Sequence, residues 1–389
     1  MASPASEQPT VLIAAFSGRA LAQSARRAGY APLVVDCFGD MDAREAAQDF
    51  VCLPARVQTG FLKRPLLAAL EKLASAAPRT PAGLILGGGF ECSPKLVAAL
   101  EERFPLIGNS AETIRRVKDP SDFFSALARL GIRHPETRMT PPCDPAGWLM
   151  KRIGGSGGLH IHRCPVRFEP DPRRYFQRDC PGEAISVLAV SSRRGTAVAL
   201  SRQWSSPLKR RPYRYGGAVS GTPIDPDLEA LLIDTSLTVI SEFGLAGLVS
   251  LDFVLHDGEP LLLEVNPRPG ATLDIFEDGQ GSLFKAHVAA CAGEDPAAVL
   301  KNSWTPPRAA SAAYLYADRG PLVMANLDWP EWAADRPAPE TAILARQPLA
   351  TVTASALTSA DAETLCRERL SALAELVYES SKWEGTSIR

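Results

Sequence analysis

Two acids on adjoining apolar runs constrain this chain more than any other feature. In LVSLDFVLHDGEPLLLEVNPRPGATLD (Leu248–Asp274), Asp252 sits inside one apolar run, and Glu264 and Asn266 close the next. Asp257-Gly258 between them has the composition of a hairpin turn. Register then decides the chemistry. A two-residue loop at 257–258 pairs residues whose numbers add to 515 and sends the two acids to opposite faces. A three-residue loop, 257–259, pairs residues adding to 516, which sets Asp252 across from Glu264 with Asn266 two residues along on the same face. In that register two carboxylates and an amide oxygen converge as a hard-oxygen site for magnesium, which manganese could share. The alternative is an amphipathic hairpin with solvated acids. The apolar residues flanking both acids weigh against it, because burying an unpaired carboxylate is costly.

Pro267-Arg268-Pro269-Gly270 follows directly. Prolines on either side hold the chain stiffly where the arginine projects beside the proposed metal ligands, and a fixed guanidinium there can neutralise phosphate or a developing oxyanion. Read alone, the same tetrapeptide is also a surface turn with a solvated arginine. About a hundred residues upstream, Lys151 ends the apolar run of WLMKRIGGSGGLHI and enters Gly154-Gly155-Ser156-Gly157-Gly158. Closely spaced backbone N–H groups of such a loop can close over phosphates, with lysine as a point charge. The loop lacks GK[ST] and precedes a strand, so it is not a Walker A loop, and by itself it could be a flexible hairpin.

Elsewhere the chain reads as α/β. Thr10–Phe16, Ala31–Asp36 and Gly83–Leu86 are buried strands around a helix at 19–28, the alternation of a doubly wound parallel sheet. Ser17-Gly18 is no GxGxxG fingerprint, which makes a nicotinamide enzyme a weak option. Ile107–Asn109 reads as a short closing strand. Beyond it, 148–153, 159–162, 184–190 and 197–203 read as antiparallel strands, 227–243 as a long helix and 360–378 as a terminal helix. The expected organisation is a disordered start at 1–9, a Rossmann-like domain at 10–108, a catalytic domain at 109–304, and a small mixed module at 305–389 opened by the Pro-rich stretch Thr305–Arg308.

Composition excludes several classes. Of 389 residues 46% are hydrophobic and 22% charged, the net charge is −2, and no apolar run approaches a membrane span, so neither nucleic acid nor a membrane is expected as a partner. Eight cysteines lie scattered without a CxxC pair, which gives zinc and iron–sulfur sites no support. MASPASEQP lacks a signal pattern and reads as a frayed cytoplasmic start. His160 and His162, read as sharing one strand face, are taken as structural.

The strand lysine, the glycine loop and the acidic trio, in this order along the chain, resemble the ATP-grasp superfamily over most of its length. The resemblance implies an ATP-grasp fold: a Rossmann-like domain, a two-part antiparallel-sheet core and a small C-terminal module. It implies that Lys118 and Lys151 meet the nucleotide with Gly154–Gly158, that Gln177, Asp179 and Cys180 form the adenine hinge, and that Glu183 contacts the ribose. Asp252, Glu264 and Asn266 would hold magnesium, and Arg268 matches the catalytic arginine. The hinge departs from the usual acidic–aromatic pattern. Ser201–Gly217 is the densest basic–aromatic stretch, with Lys209, Arg210, Arg211 and Arg214 around Tyr213 and Tyr215. Biotin-carboxylase-like members carry a similar segment facing the γ-phosphate and the acid, which implies catalysis for Lys209 and substrate binding for Arg210, Arg211, Tyr213 and Arg214. A solvated loop is the plain alternative. Gly88 and Gly89, in GGGFE at a strand end, are placed to line a substrate pocket or to make a tight turn.

The implied activity is ATP-dependent ligation of a carboxylate to an amine through an acyl phosphate, with small-molecule acid and amine partners, in a chain that could be a homo-oligomer. SGRALAQSARRAGYAPLVVDCFGD, LGGGFE and WPEWAADRP are similar to carboligases related to biotin carboxylase, a group that includes ligases joining tyramine or tyrosine to glutamate for methanofuran and methylofuran. Carboxylation of a purine or of biotin, and a non-catalytic nucleotide-binding module, are the rival readings.

Overall fold

The computed structural model describes residues 8–56, 59–167, 169, 171–209, 211–300 and 308–382. Thr10–Ala14 and Ala31–Asp36 are buried at every position and form the middle of a four-stranded parallel sheet, in the order Asp49–Cys52, Ala31–Asp36, Thr10–Ala14, Leu84–Leu86. Strands covered on both faces read as unbroken apolar runs, as here. Their side chains divide by parity. Val11, Ile13 and Val34 pack with Leu21, Ala22 and Ala25 of the helix Arg19–Arg27. Leu12, Ala14, Leu33 and Val35 pack with Leu66, Leu70 and Leu73 of the helix Lys63–Ala76.

The strand expected at Ile107–Asn109 does not form. The chain makes one parallel bridge, Leu84 with Leu106, and then Asn109 turns its side chain to other partners. Its amide donates to the carbonyls of Ala246 (2.9 Å) and Pro267 (3.0 Å), and its oxygen accepts from the Ala246 N–H (2.9 Å). One asparagine thereby ties the parallel-sheet unit to the ends of the acidic hairpin.

A second, small sheet has the order Thr137–Arg138, Arg174–Arg178, Trp148–Arg152, His162–Arg163. The expected strand at 159–162 is thus displaced: only His162 of the two histidines lies in it. His160 sits in the preceding turn with its ring against Gly155, where a Cβ would lie 2.2 Å from the ring. The two histidines share no strand face.

The largest sheet has eight antiparallel-paired strands, in the order Glu259–Asn266, Gly247–His256, Glu183–Ser192, Gly195–Ser205, Tyr215–Ser220, Ala309–Tyr316, Pro348–Ala356, Ala333–Ala334. Tyr215–Ser220 pairs with Ala309–Tyr316, so strands from the chain's last quarter extend the same sheet that carries the acidic hairpin. Residues 305–307 of the proposed boundary lie outside the described residues. The helix Pro226–Phe243 covers one face. It begins where Asp225 accepts from the N–H groups of Asp227 and Leu228, and it ends at Gly244 in the left-handed region. The helix Ser359–Ser380 packs Cys366, Leu373 and Val377 on the distal strands.

The hairpin register combines both expectations. The turn is two residues long, with Asp257 (φ 52°) and Gly258 (φ 82°) both left-handed, and pairs His256 with Glu259 through Phe253 with Leu262. Then the register shifts. Asp252 pairs with Glu264, Leu251 with Val265 and Ser250 with Asn266, leaving Leu263 as the extra residue of a bulge. The expected three-residue loop is corrected to a two-residue turn plus a bulge, and the acids face each other for that reason.

Candidate active site

Asp252 and Glu264 lie at the centre of the site, each satisfied by a different neighbour. Asp252 accepts from Ser186 Oγ at 2.6 Å and from the Asn266 amide at 2.8 Å. Lys118, at the last turn of the helix Ala111–Lys118, places its ammonium 3.3 Å from Glu264 Oε2 and 3.1 Å from Asn266 Oδ1. Burial, then the charge of Glu264, pushes the Asp252 carboxyl up to about 6. Burial would raise Glu264 too, but Lys118, His160 and Lys151 outweigh it and hold Glu264 below its ordinary value. The hard-oxygen donors fit a divalent cation on one observation: a cation, the Lys118 ammonium, already lies on two of them. Among the described residues no three His, Cys, Asp or Glu side chains converge as a metal site, so the set reaches three ligands only through the Asn266 amide oxygen.

Lys151, in the strand Trp148–Arg152, is buried and donates to Gln177 Oε1 at 2.5 Å, and Gln177 passes a bond on to Thr137. Burial pushes this ammonium down from its ordinary value. Gln177, Asp179, Cys180 and Glu183 line the same cavity, of about 720 Å3, as Lys151, the acidic pair, Asn266 and Arg268. Asp179 accepts from the Tyr213 hydroxyl. Glu183 is half exposed and 3.5 Å from Arg202.

The glycine loop is seated against its surroundings. Ser156, Gly157 and Gly158 line the cavity. The Tyr215 N–H donates to the Gly157 carbonyl at 3.0 Å. Gly158 (φ 70°) lies so close to Tyr213 that a Cβ would stand 1.5 Å from its carbonyl oxygen. Gly154 and Gly155 sit behind the cavity wall, against Cys92 and His160.

Arg268 is partly buried beside Gly88 and donates to Glu91 Oε1 at 2.6 Å. The other Glu91 oxygen accepts from the N–H groups of Gly89 (2.9 Å) and Phe90 (3.0 Å). Burial alone would raise Glu91, but Arg268 and Lys118 hold it down to about 2. The glycine turn thus anchors the arginine through an acid that the sequence pattern showed only as the last letter of GGGFE.

The basic segment departs from expectation. Leu208 and Arg211 exchange backbone bonds of 2.9 and 3.0 Å in a tight turn, which leaves Lys209 exposed, and neither Lys209 nor Arg211 lines the cavity. Arg214 is 1% exposed, bonds Asp318 at 2.8 and 2.7 Å and stacks 3.8 Å over Tyr316. Its guanidinium is therefore committed within the sheet, and only Tyr213 and Tyr215 of this stretch reach the cavity. Arg210 lies outside the described residues.

A charged knot was missed altogether. Arg19, at the carboxyl end of the first parallel strand, bonds Asp274 at 2.5 and 2.7 Å and Asp335 at 3.1 and 2.8 Å. Its position at a strand-to-helix turn was the available signal, since ligand sites of parallel sheets gather there. Asp335 comes from more than 300 residues downstream, beyond the reach of local pattern.

Residues 117–272 match the family described as ATP-grasp domain. The chain is similar to the carbamoyl phosphate synthase large chain of Vibrio vulnificus, 26% identical over 253 residues, which are 58% of this chain and 23% of that protein. The chain therefore spans about a quarter of the length of the curated relatives it matches. Among solved structures, an L-amino acid ligase from Bacillus licheniformis superposes with a TM-score of 0.68 at 14% identity, covering 94% of this chain and 97% of that one. The biotin carboxylase domain of the Hydrogenobacter thermophilus 2-oxoglutarate carboxylase, solved with MgADP and bicarbonate, gives 0.69 at 12% identity and covers 96% and 90%. The fold is the ATP-grasp fold. No described helix is long and apolar enough to cross a membrane.

Proposed function

We propose that this protein is an ATP-dependent carboxylate–amine ligase that releases ADP and forms an amide through an acyl phosphate. The observation that carries the reading is the pairing of Asp252 with Glu264 on one face, with the Lys118 ammonium on Glu264 and Asn266 and with Arg268 in the same cavity. Asp252, Glu264 and Asn266 would hold magnesium, which supplies charge neutralisation of the phosphates when bound. The match to the ATP-grasp domain and the similarity to a carboxylase domain solved with MgADP support ATP and magnesium as cofactors.

Lys151 and the backbone of Ser156–Gly158 cradle the phosphates, and Gln177, Asp179 and Cys180 border the adenine. A carboxylate oxygen of the acid attacks the γ-phosphorus, the bond to the β-bridging oxygen breaks, and ADP leaves. Arg268, held by Glu91, neutralises the acid and the transferring phosphoryl group. The amine nitrogen then attacks the acyl carbon, phosphate departs with one former carboxylate oxygen, and the nitrogen loses a proton. Positioning and electrostatics account for the rate, with no covalent enzyme nucleophile.

The finer reading is that glutamate is joined to tyrosine or tyramine for a furan-type one-carbon cofactor. The phenol rings of Tyr213 and Tyr215 in the cavity wall support an aromatic partner. Purified protein supplied with ATP, magnesium, glutamate and either phenolic partner should yield the condensed product by mass spectrometry. ADP release only with another acid–amine pair would overturn the substrate and keep the ligase, whereas ADP release dependent on bicarbonate would favour a carboxylase.

A further inference from the structure

Around Arg19, at the cavity wall and behind it, lie acids that differ in one respect, whether they are already satisfied. Asp36 accepts three backbone N–H bonds, from Gly18, Phe38 and Gly39, each at 2.7 Å. Asp42 accepts from the N–H groups of Asp335 and Arg336, both at 2.9 Å. Asp274 and Asp335 share the Arg19 guanidinium, and Asp335 also accepts from Ser17 at 2.9 Å and Thr351 at 2.5 Å. Asp40 is the exception. It is 4% exposed and lines the cavity, yet its carboxylate makes no hydrogen bond or ion pair among the described residues. It does not even cap the helix Met41–Ala46 that it precedes.

A buried, unpartnered carboxylate on a cavity wall is costly and calls for a cation. The neighbouring charges make it costlier: burial first, then Asp335, Asp36 and Asp42, push Asp40 up to about 9, with Arg19 opposing. A divalent metal is a poor match, because it wants six or so oxygens and the adjacent acids have already committed theirs. Aromatic residues line the same cavity, among them Phe16, Phe38 and Tyr314. One free carboxylate among rings is the recognition chemistry of an organic ammonium, which gains a charge-assisted bond and cation–π contact together.

We propose that Asp40 seats the ammonium group of an arylalkyl primary amine, making this wall the amine subsite. The assignment rests on the ligase reading for its role and on Asp40 alone for its chemistry. Aromatic rings at the subsite hold the body of the amine, and the carboxylate fixes which end faces the Arg19 cluster.

The test is calorimetry on the full chain with magnesium and ADP present. The probes are tyramine, phenethylamine and L-tyrosine, against 2-(4-hydroxyphenyl)ethanol, which carries a hydroxyl in place of the ammonium. At least one amine should bind about 10-fold or more tightly than the alcohol, as expected for a charge-assisted bond. Asp40→Asn should remove that preference while leaving ADP affinity and the melting temperature at or above wild type. At pH 7.5 amine binding should release close to one proton, read from two buffers of different ionisation enthalpy, because ion pairing ionises a carboxyl that is neutral in the empty site. Equal binding of amine and alcohol, absence of amine binding, or an Asp40→Asn variant that keeps the preference would each overturn the proposal. ATP turnover separates the two readings. Amine binding that is Asp40-dependent without ADP release from any acid–amine pair defeats the ligase and keeps the ammonium site, whereas turnover with an unchanged amine KM in Asp40→Asn defeats the site and keeps the ligase.

Discussion

Asp252 stands directly across from Glu264 because Leu263 bulges out of the strand between them. The two-residue turn at Asp257-Gly258 would otherwise send the carboxylates to opposite faces, and the bulge restores the lost residue. Deleting Leu263 should therefore leave every pair in place, with Glu264 following Leu262 directly and still standing across from Asp252 in a regular ladder, and ATP turnover should persist. The measurement is turnover alongside circular dichroism; loss of turnover in a folded deletion variant would show that pairing across the ladder is not what sets the two acids.

Asp252→Asn and Glu264→Gln should each lower ATP turnover by at least ~100-fold, as expected for loss of an anionic ligand at the transfer site. Their stabilities should differ. Asp252 is raised to about 6 in the folded protein, so its contribution to stability is full below the unfolded value and is lost as pH rises through 6. Asn at this position should be neutral or stabilising at pH 8. Glu264→Gln removes the acceptor of Lys118 and should lower the melting temperature. Thermal denaturation at pH 5 and pH 8 reads both.

Glu91 positions Arg268 and is held at about 2, below its ordinary value. Its stabilisation is present above the unfolded value and is lost as pH falls toward 2. Glu91→Gln leaves a largely buried guanidinium short of its counter-charge, with a cost of about 2–3 kcal/mol. It should also cut kcat more than it raises the ATP KM, and the variant should lose the wild-type decline in stability between pH 4.5 and 2. An unchanged kcat would mean that Arg268 needs no anchor.

Gly158→Ala brings a Cβ to 1.5 Å from the Tyr213 carbonyl at a backbone φ of 70°. The loop must lift away from Tyr213 and Tyr215, and the ATP KM should rise by roughly 10-fold or more as phosphate contacts are lost. A KM within twofold of wild type would show that the seated loop takes no part in binding ATP.

Arg214→Ala should act on stability, because it strips Asp318 of its partner and Tyr316 of its stacked cation. A fall in melting temperature without a selective rise in the KM of the acid is expected. A selective KM effect in a variant of unchanged stability would return Arg214 to the substrate.

What the chain made legible was local. Apolar runs marked Thr10–Ala14 and Ala31–Asp36 as parallel strands, and the acid spacing marked the hairpin. The bulge at Leu263 was not legible, because 515 and 516 differ by one residue and no residue in LLLE announces which of the two applies. Arg214 looked like substrate machinery because a basic run reads the same whether its guanidinium meets solvent, phosphate or Asp318 across the sheet. Glu91, Asp274 and Asp335 were hidden for the opposite reason. Each is a lone acid locally, and becomes part of a site only when distant elements fold onto one cavity.

The central claim, phosphoryl transfer from ATP to a carboxylate, is tested most directly by oxygen isotope transfer. Amino acids labelled with 18O in their carboxylates would be supplied with ATP, magnesium and a panel of primary amines, and released phosphate analysed by mass spectrometry. The account predicts ADP together with phosphate carrying one 18O atom per turnover for at least one acid–amine pair. Unlabelled phosphate accompanying amide formation, or release of AMP and pyrophosphate, would contradict it.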